Sequence, residues 1–171
     1  ALRGTRGLFA ASRSVERSEW RAYVDSVKIG TNYPGIKGMG FVEYVPRAKL
    51  GTFLAETRLD GASDYAVHPP GVREEYFLVK YMEPPMDNFG ILGFYIATDT
   101  AARRPAAELA RDRGRPTISG KILSVSDTTR LPGAVFLLPV YRGGAAIESV
   151  DERRAALAGW IYCRFSMRDM M

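Results

Sequence analysis

Residues that could support acid–base, nucleophilic or metal chemistry are scarce in this sequence of 171 residues. His68 is the only histidine and Cys163 the only cysteine, so they supply neither a metal-ligating cluster nor an internal disulfide. His68 precedes two prolines, a context typical of a loop, and nothing nearby suggests a partner that would orient its ring as a general base. We therefore predict that the chain is not an enzyme and holds no cofactor.

Glycine motifs for phosphate binding are also missing. The segment 114–121 has five residues between its glycines, one more than a phosphate loop, and Ile122 follows its lysine in place of Ser or Thr. Gly38-x-Gly40 lacks the third glycine of a dinucleotide fingerprint and opens a predicted strand instead of a helix. Neither motif supports nucleotide binding.

Aromatic side chains, many of them tyrosines, are concentrated on or beside the predicted strands. A tyrosine offers a large apolar ring and one hydroxyl, which suits a small ligand that must be oriented. The set therefore predicts a binding pocket, with a well-packed core as the alternative. Its members are Tyr76, Tyr81, Phe94, Tyr95, Phe136, Tyr141, Trp160 and Tyr162.

Hydrophobic periodicity predicts an α+β protein, with helices between the early strands and an antiparallel run of strands at the end. Predicted helices cover residues 1–29, with a break at 12–14, then 46–61 and 100–113. Predicted strands cover 38–45, 75–82, 117–126, 134–141 and 156–165, and 91–96 is a short apolar segment. The thin apolar stripe of the first segment indicates packing either on another chain or on its own domain.

Charge and hydropathy narrow the possible partners. The chain has 24 Lys and Arg against 19 Asp and Glu, a net charge of +5, and the charges alternate in sign along the sequence. A nucleic-acid partner is therefore not expected, since such proteins concentrate basic residues on one face. No apolar stretch reaches the roughly 20 residues needed to span a bilayer.

An ordered set of motifs resembles the CHASE domains of bacterial and plant receptors, and it covers nearly the whole chain. The matching motifs lie at 2–12, 33–40, 73–77, 83–88, 92–94, 98–99, 103–104, 110–114, 136–141 and 157–164. The resemblance implies an extracytoplasmic sensor module between transmembrane helices of a histidine kinase, nucleotide cyclase, or diguanylate cyclase or phosphodiesterase. It also implies a long stalk helix followed by PAS-like lobes, with the ligand in the membrane-distal lobe and a second lobe beyond Met171 in longer members.

Two positions carry information about the ligand once the family is considered. Tyr95 stands where cytokinin-binding members have an aspartate that pairs with the adenine ring. A phenol cannot offer two acceptor oxygens, so the resemblance does not extend to cytokinin binding. Ile118 falls at a position that lines the pocket in the family.

The sequence thus predicts one CHASE-type domain, with stalk helices at 1–29, a PAS-like lobe at 30–166 and the start of a C-terminal helix at 167–171. The lobe is expected to hold an antiparallel sheet of about five strands with helices on one face. The expected partners are an unidentified, partly aromatic or amphiphilic small molecule and a second copy bound through the N-terminal helix, in a periplasmic receptor domain anchored by flanking transmembrane helices. The alternative is a dimerisation or protein-interaction module without a small-molecule ligand. The predicted ligand-binding residues are Tyr76, Lys80, Tyr81, Phe94, Tyr95, Ile118 and Tyr141, with Lys80 available for a carboxylate.

Overall fold

The structure is a computed structural model that describes residues 2–12, 14–85, 90–123 and 132–166. Its helices are α1 (Leu2–Ala11), α2 (Arg17–Val27), α3 (Ile29–Asn32), α4 (Leu50–Leu59), α5 (Arg103–Arg113) and α6 (Val150–Ala156). Its strands are β1 (Ile36–Pro46), β2 (Glu75–Glu83), β3 (Thr117–Ile118), β4 (Ile122–Leu123), β5 (Pro132–Tyr141) and β6 (Leu157–Ser166). This order of elements confirms the predicted α+β class.

All of these strands belong to one antiparallel sheet with the order β2-β1-β6-β5-β3, and β4 also pairs with β5. Ile118 lies opposite Phe136, and Ile122 lies opposite Gly133, so β3 and β4 follow each other along the same edge. The described residues therefore fill five strand positions, as the sequence predicted.

One face of the sheet, which we call the α5 face, is covered by α5. Leu137, Trp160 and Tyr162 pack there in one cluster with Ala107 and Ala110 of the helix. The indole Nε1 of Trp160 donates a hydrogen bond to the Ala107 carbonyl oxygen at 2.9 Å. The small alanines let the helix approach the large rings closely, so the sheet and α5 form a continuous core.

The opposite face, which we call the N-terminal face, is covered by the first helices. Phe41, Ile161 and Cys163 pack there in one cluster with Trp20 of α2. Trp20 is completely buried, and its indole Nε1 donates to the Met39 carbonyl oxygen at 3.3 Å. Helices thus lie on both faces of the sheet, and the apolar stripe of the N-terminal segment packs on its own domain.

The N-terminal helices are shorter than the long stalk that the sequence predicted. α1 ends at Ala11 and α2 begins at Arg17, which confirms the predicted break near residues 12–14. Glu16 and Glu19 form a capping box at the start of α2, because each carboxylate accepts a backbone N–H of the other residue. The long stalk helix that the CHASE resemblance implied is therefore not found in the described residues, because the chain caps and restarts its helix here.

Two other expectations changed in the structure, and a third is not tested by the described residues. The predicted strand 117–126 is two separate two-residue strands, and its last part, 124–126, lies outside the described residues. The polar stretch 142–154, between the predicted strands 134–141 and 156–165, was expected to be a loop but contains most of α6, whose N-cap Ser149 accepts a hydrogen bond from the Glu152 N–H. The C-terminal helix expected at 167–171 lies outside the described residues. Among those residues, no helix is long and apolar enough to cross a bilayer.

Candidate ligand pocket

The residues predicted to bind ligand do not line one common pocket. Tyr76 and Tyr95 do come together, with their ring centroids 6.0 Å apart in an edge-on contact. The Arg73 guanidinium lies over both rings, 4.5 Å from the centroid of Tyr95 and 5.8 Å from that of Tyr76. Burial raises the pKa of Tyr95 above its ordinary value. This is a filled cluster of side chains, not an open cavity.

Phe94 is buried beside this cluster. Its ring centroid lies 5.7 Å from that of His68, and the Arg103 guanidinium lies 5.6 Å from it. Arg103 itself donates to the Asp99 carboxylate at 3.0 Å and to the Tyr162 hydroxyl at 3.2 Å. These contacts hold the segment 94–99 against α5 and the sheet.

Three other predicted residues, Lys80, Tyr81 and Tyr141, line a pocket of about 440 Å³ between the N-terminal segment and the sheet. Lys80 is not available for a free carboxylate, because its Nζ lies 3.1 Å from the Glu43 carboxylate. The Tyr141 hydroxyl donates to the Arg111 carbonyl oxygen. Both polar groups therefore already have protein partners.

Ile118, the last of the predicted residues, lies elsewhere. It is 62% exposed and lines a separate groove of about 820 Å³ beside α5 and α6. The predicted set is therefore spread over an aromatic cluster, a pocket and a surface groove. The ligand-binding role of each residue stays a prediction.

A further pocket of about 530 Å³ lies at the outer edge of β2, and we call it the Tyr65 pocket. It is lined by Ala62, Asp64, Tyr65, Ala66, His68, Met82, Pro85, Gly90 and Leu92. The lining combines apolar side chains with a few polar groups, the composition expected of a small-molecule site. The sequence did not predict this pocket, because loops supply most of its walls. The only sequence signal was the pair Tyr65 and His68 near short apolar segments.

Hydrogen bonds to β2 and its neighbouring segment fix the walls of the Tyr65 pocket. The Tyr65 hydroxyl donates to the Val79 carbonyl oxygen at 2.8 Å, and Arg58 Nε donates to the Tyr65 carbonyl oxygen at 3.0 Å. His68 Nε2 donates to the Leu92 carbonyl oxygen at 2.9 Å, which requires the hydrogen on that nitrogen. Burial raises the pKa of Tyr65, so its hydroxyl stays protonated as a donor.

Gly93 allows the two walls of the pocket to approach each other. Its φ is +82°, and a Cβ at this position would lie 1.9 Å from the Ala66 carbonyl oxygen. The Gly93 carbonyl oxygen accepts from the His68 N–H at 3.0 Å, and the Gly93 N–H donates to Val79 at 2.9 Å. One glycine thus joins the loop that holds His68 to strand β2.

A cluster of hydrogen bonds beside the Tyr65 pocket ties the N-terminal segment to the sheet, and we call it the Arg17–Asp60 junction. The Arg17 backbone N–H donates to the Asp60 carboxylate at 2.9 Å, and its guanidinium donates to the carbonyl oxygens of Asp60 and Lys80. The Tyr81 hydroxyl donates to the Val15 carbonyl oxygen at 2.6 Å and lies 3.3 Å from the Asp60 carboxylate. Burial, reinforced by Asp60, raises the pKa of Tyr81.

The junction and the pocket are neighbours along the chain. Ala62 and Met82 line the pocket, and they follow Asp60 and Tyr81 by two residues and one residue respectively. No group of three or more His, Cys, Asp or Glu side chains that could hold a metal occurs in the described part of the chain.

Comparison with known proteins identifies the family of the chain. The chain belongs to the CHASE domain family, whose model matches residues 13–171. CHASE domains are sensor domains, are not themselves catalytic, and typically lie outside the cytoplasm, where they sense extracellular ligands. The resemblance seen in the sequence is therefore confirmed.

One similar protein is a Dictyostelium discoideum protein named hybrid signal transduction histidine kinase A. The two sequences are 27% identical over 122 residues, which is 67% of this chain. The aligned part is only 6% of that kinase, so this chain spans a small fraction of the relative's length.

Proposed function

We propose that this chain is the small-molecule sensor domain of a membrane-bound receptor and that its ligand binds in the Tyr65 pocket. The observation that carries the proposal is the position of the pocket, because its lining residues Ala62 and Met82 follow the junction residues Asp60 and Tyr81 closely in the chain. A partly aromatic or amphiphilic ligand suits its lining, because rings pack on Tyr65 and Leu92 while Asp64 and His68 offer polar contacts.

The proposed mechanism is a shift between two populations of the domain. A ligand against Ala62 and Met82 favours one position of the neighbouring Asp60 and Tyr81, which hold the N-terminal segment. The N-terminal helices then move relative to the sheet. Such a ligand shifts the equilibrium only by its difference in affinity for the two positions.

The receptor context is also part of the proposal. We place the domain in the periplasm, between transmembrane helices, with a histidine kinase or a cyclic-nucleotide or di-GMP enzyme as the output. Similarity to a hybrid histidine kinase favours the kinase. The apolar sides of α1 and α2 already pack on the sheet. We therefore place a homodimer contact on the exposed sides of these two helices. Light scattering of the chain before and after charge reversal of exposed Asp25 tests that contact.

A thermal-shift screen of the chain against ring-bearing metabolites with one hydrogen-bonding group tests the pocket. Binding should be lost in Ala66→Phe, because the exposed Ala66 side chain lines the pocket and a phenyl ring would fill it. Ala55→Phe on the exposed side of α4 is the matched control. Compounds that bind Ala66→Phe as well as they bind the wild type would place the ligand elsewhere.

The coupling is tested separately by the reactivity of Cys163, which lies buried beneath the N-terminal helices. Binding in the Tyr65 pocket should change the rate at which a thiol reagent labels Cys163. An unchanged rate at saturating ligand would contradict the proposed transmission while leaving the pocket itself intact.

A further inference from the structure

A second surface of the domain, which we call the arginine groove, lies at the β3 edge of the sheet, whereas the Tyr65 pocket lies at the β2 edge. Its volume is about 820 Å³, and it runs between α5 and α6 on one side and β3 on the other. The groove is lined by Leu109, Asp112, Arg113, Arg115, Pro116, Thr117, Ile118, Phe136, Val150 and Arg153. None of these residues lines the Tyr65 pocket.

The groove exposes large apolar side chains. Ile118 is 62% exposed, and Leu109 and Val150 are each 39% exposed. They come from a strand and two different helices, yet all three line the same groove. Apolar side chains gathered on a surface and rimmed by charged groups mark a site of interaction with another molecule.

The rim of the groove is strongly basic. Arg111 and Arg154 each lie 2.7 Å from the Asp112 carboxylate, and the pair of arginines holds the pKa of Asp112 well below its ordinary value. Asp112, the only carboxylate among the described lining residues, is thus already neutralised. Arg113 and Arg115 are exposed and have no acidic partner within the described ranges.

The shape of the groove favours a helix as its occupant. β3 and β4 have only two residues each, which is too short an edge for an added strand. The apolar residues line a concave surface, whereas insertion into a lipid surface requires side chains that protrude. A second copy placed face to face would bring Arg113 and Arg115 toward the same arginines, which repel each other.

We propose that the arginine groove binds an acidic amphipathic helix of a partner protein. Apolar side chains at helical spacing would pack on Leu109, Ile118 and Val150, and carboxylates on the flanks would pair with Arg113 and Arg115. The proposal concerns a protein partner and holds whether or not a ligand occupies the Tyr65 pocket.

The test uses fluorescent helical peptides of about 18 residues, long enough to form a helix. One peptide has leucines at i, i+3, i+4 and i+7 with glutamates between them, and its matched partner has lysines in place of the glutamates. The glutamate peptide should bind the wild-type chain. The double variant Arg113→Glu/Arg115→Glu should bind the glutamate peptide at least about tenfold more weakly than the wild type does. The same variant should bind the lysine peptide instead.

Two matched controls separate the groove from net charge and hydrophobicity. Arg47→Glu/Lys49→Glu makes the same change of charge outside the groove, and it should leave the glutamate peptide bound. Ile118→Ser should weaken binding, whereas Leu59→Ser, at an 88% exposed residue outside the groove, should not. Folding of each variant is checked by its melting temperature.

Several outcomes would overturn the proposal. Glutamate-peptide affinity that is unchanged by the arginine reversal, or lowered equally by the Arg47 and Lys49 control, would remove the groove as the binding site. Self-association of the wild-type chain that Ile118→Ser abolishes would make a second copy the occupant. Binding to phosphatidylglycerol vesicles, lost on arginine reversal while the peptides do not bind, would make it a lipid surface.

Discussion

Each face of the sheet is built around a buried tryptophan, but the contacts that hold the helices onto the sheet differ between the two faces. Trp160 on the α5 face packs on Phe77, with ring centroids 4.6 Å apart, and bonds to α5. Trp20 on the N-terminal face packs against Phe9 and Tyr81. On that face, polar bonds around Arg17 and Tyr81 supplement the apolar packing of the helices.

This difference suggests separate roles for the two faces. The core of the α5 face joins strands β1, β2, β5 and β6 to helices α4 and α5, so it connects most of the domain. The N-terminal face is covered by helices from one end of the chain, and terminal segments open locally at lower free energy than paired core strands. This is the face through which the proposed function would pass its signal.

The largest expected effects come from replacing the two tryptophans. Trp160→Ala and Trp20→Ala should each cost about 3–5 kcal/mol of local packing free energy. Loss of Trp160 should lower the stability of the whole domain, measured by urea denaturation. Loss of Trp20 should first release the N-terminal helices, measured as faster labelling of Cys163 without denaturant. Equal labelling rates in Trp20→Ala and wild type would break the comparison.

Removing the hydroxyl of Tyr81 or of Tyr65 tests the comparison more finely. Each change should lower stability by about 1–3 kcal/mol, the cost of leaving a buried acceptor without its donor. Tyr81→Phe removes the hydroxyl that binds Val15 on the N-terminal face, so Cys163 should be labelled faster. Tyr65→Phe removes the bond to Val79 at the β2 edge, so the melting temperature should fall without faster labelling. Faster labelling in both variants would mean that the faces open together.

A smaller effect is expected from two arginines that both stack on tyrosine rings. Arg17→Ala removes contacts that join the N-terminal segment to β2 and should cost about 1 kcal/mol and speed the labelling of Cys163. Arg73→Ala removes contacts within its own loop and over Tyr95, worth about 0.5–1 kcal/mol, and should not change labelling. A labelling change of the same size in Arg73→Ala would contradict the assigned roles.

The smallest effect should come from Asp112, which joins α5 to α6. Asp112→Asn should cost a few tenths to about 1 kcal/mol near pH 7, because the ion pairs with Arg111 and Arg154 are screened by solvent. The folded pKa is lowered, so this stability is present above the ordinary carboxyl pKa of about 3.9 and is lost as the pH falls below it. Melting temperatures of variant and wild type should therefore converge below pH 3. A difference in melting temperature between variant and wild type that stays constant from pH 7 to pH 3 would contradict this assignment.

Much of the fold was predictable, because alternation and helical periodicity identify buried strands and amphipathic helices directly. α6 was missed because its apolar face is weak, although the sequence Ser149-Val150-Asp151-Glu152 is a capping box that could have revealed it. The break of the edge strand into β3 and β4 has no comparable signal in the sequence.

The site was less predictable, because the face of the sheet on which a strand residue lies depends on how that strand pairs with its neighbour. Phe77 and Tyr81 are four residues apart and would share a face in a regular strand. In the structure, the pairing shifts between Phe41 and Val42 of β1, and Lys80 is the extra residue on β2. Phe77 therefore packs on the α5 face and Tyr81 on the N-terminal face. A bulge depends on tertiary pairing, so strand alternation alone could not group the site residues.

The N-terminal helices cover Cys163, and this has a chemical consequence. The thiol is buried, and burial raises its pKa to about 12, so almost no thiolate exists near neutral pH. Oxidants and disulfides react with the thiolate, and they reach it only when the helices detach. In an oxidising compartment, the Cys163 thiol could therefore form a mixed disulfide or a sulfenic acid whenever the helices detach. The same helices that would pass on a signal also protect the chain from oxidative damage.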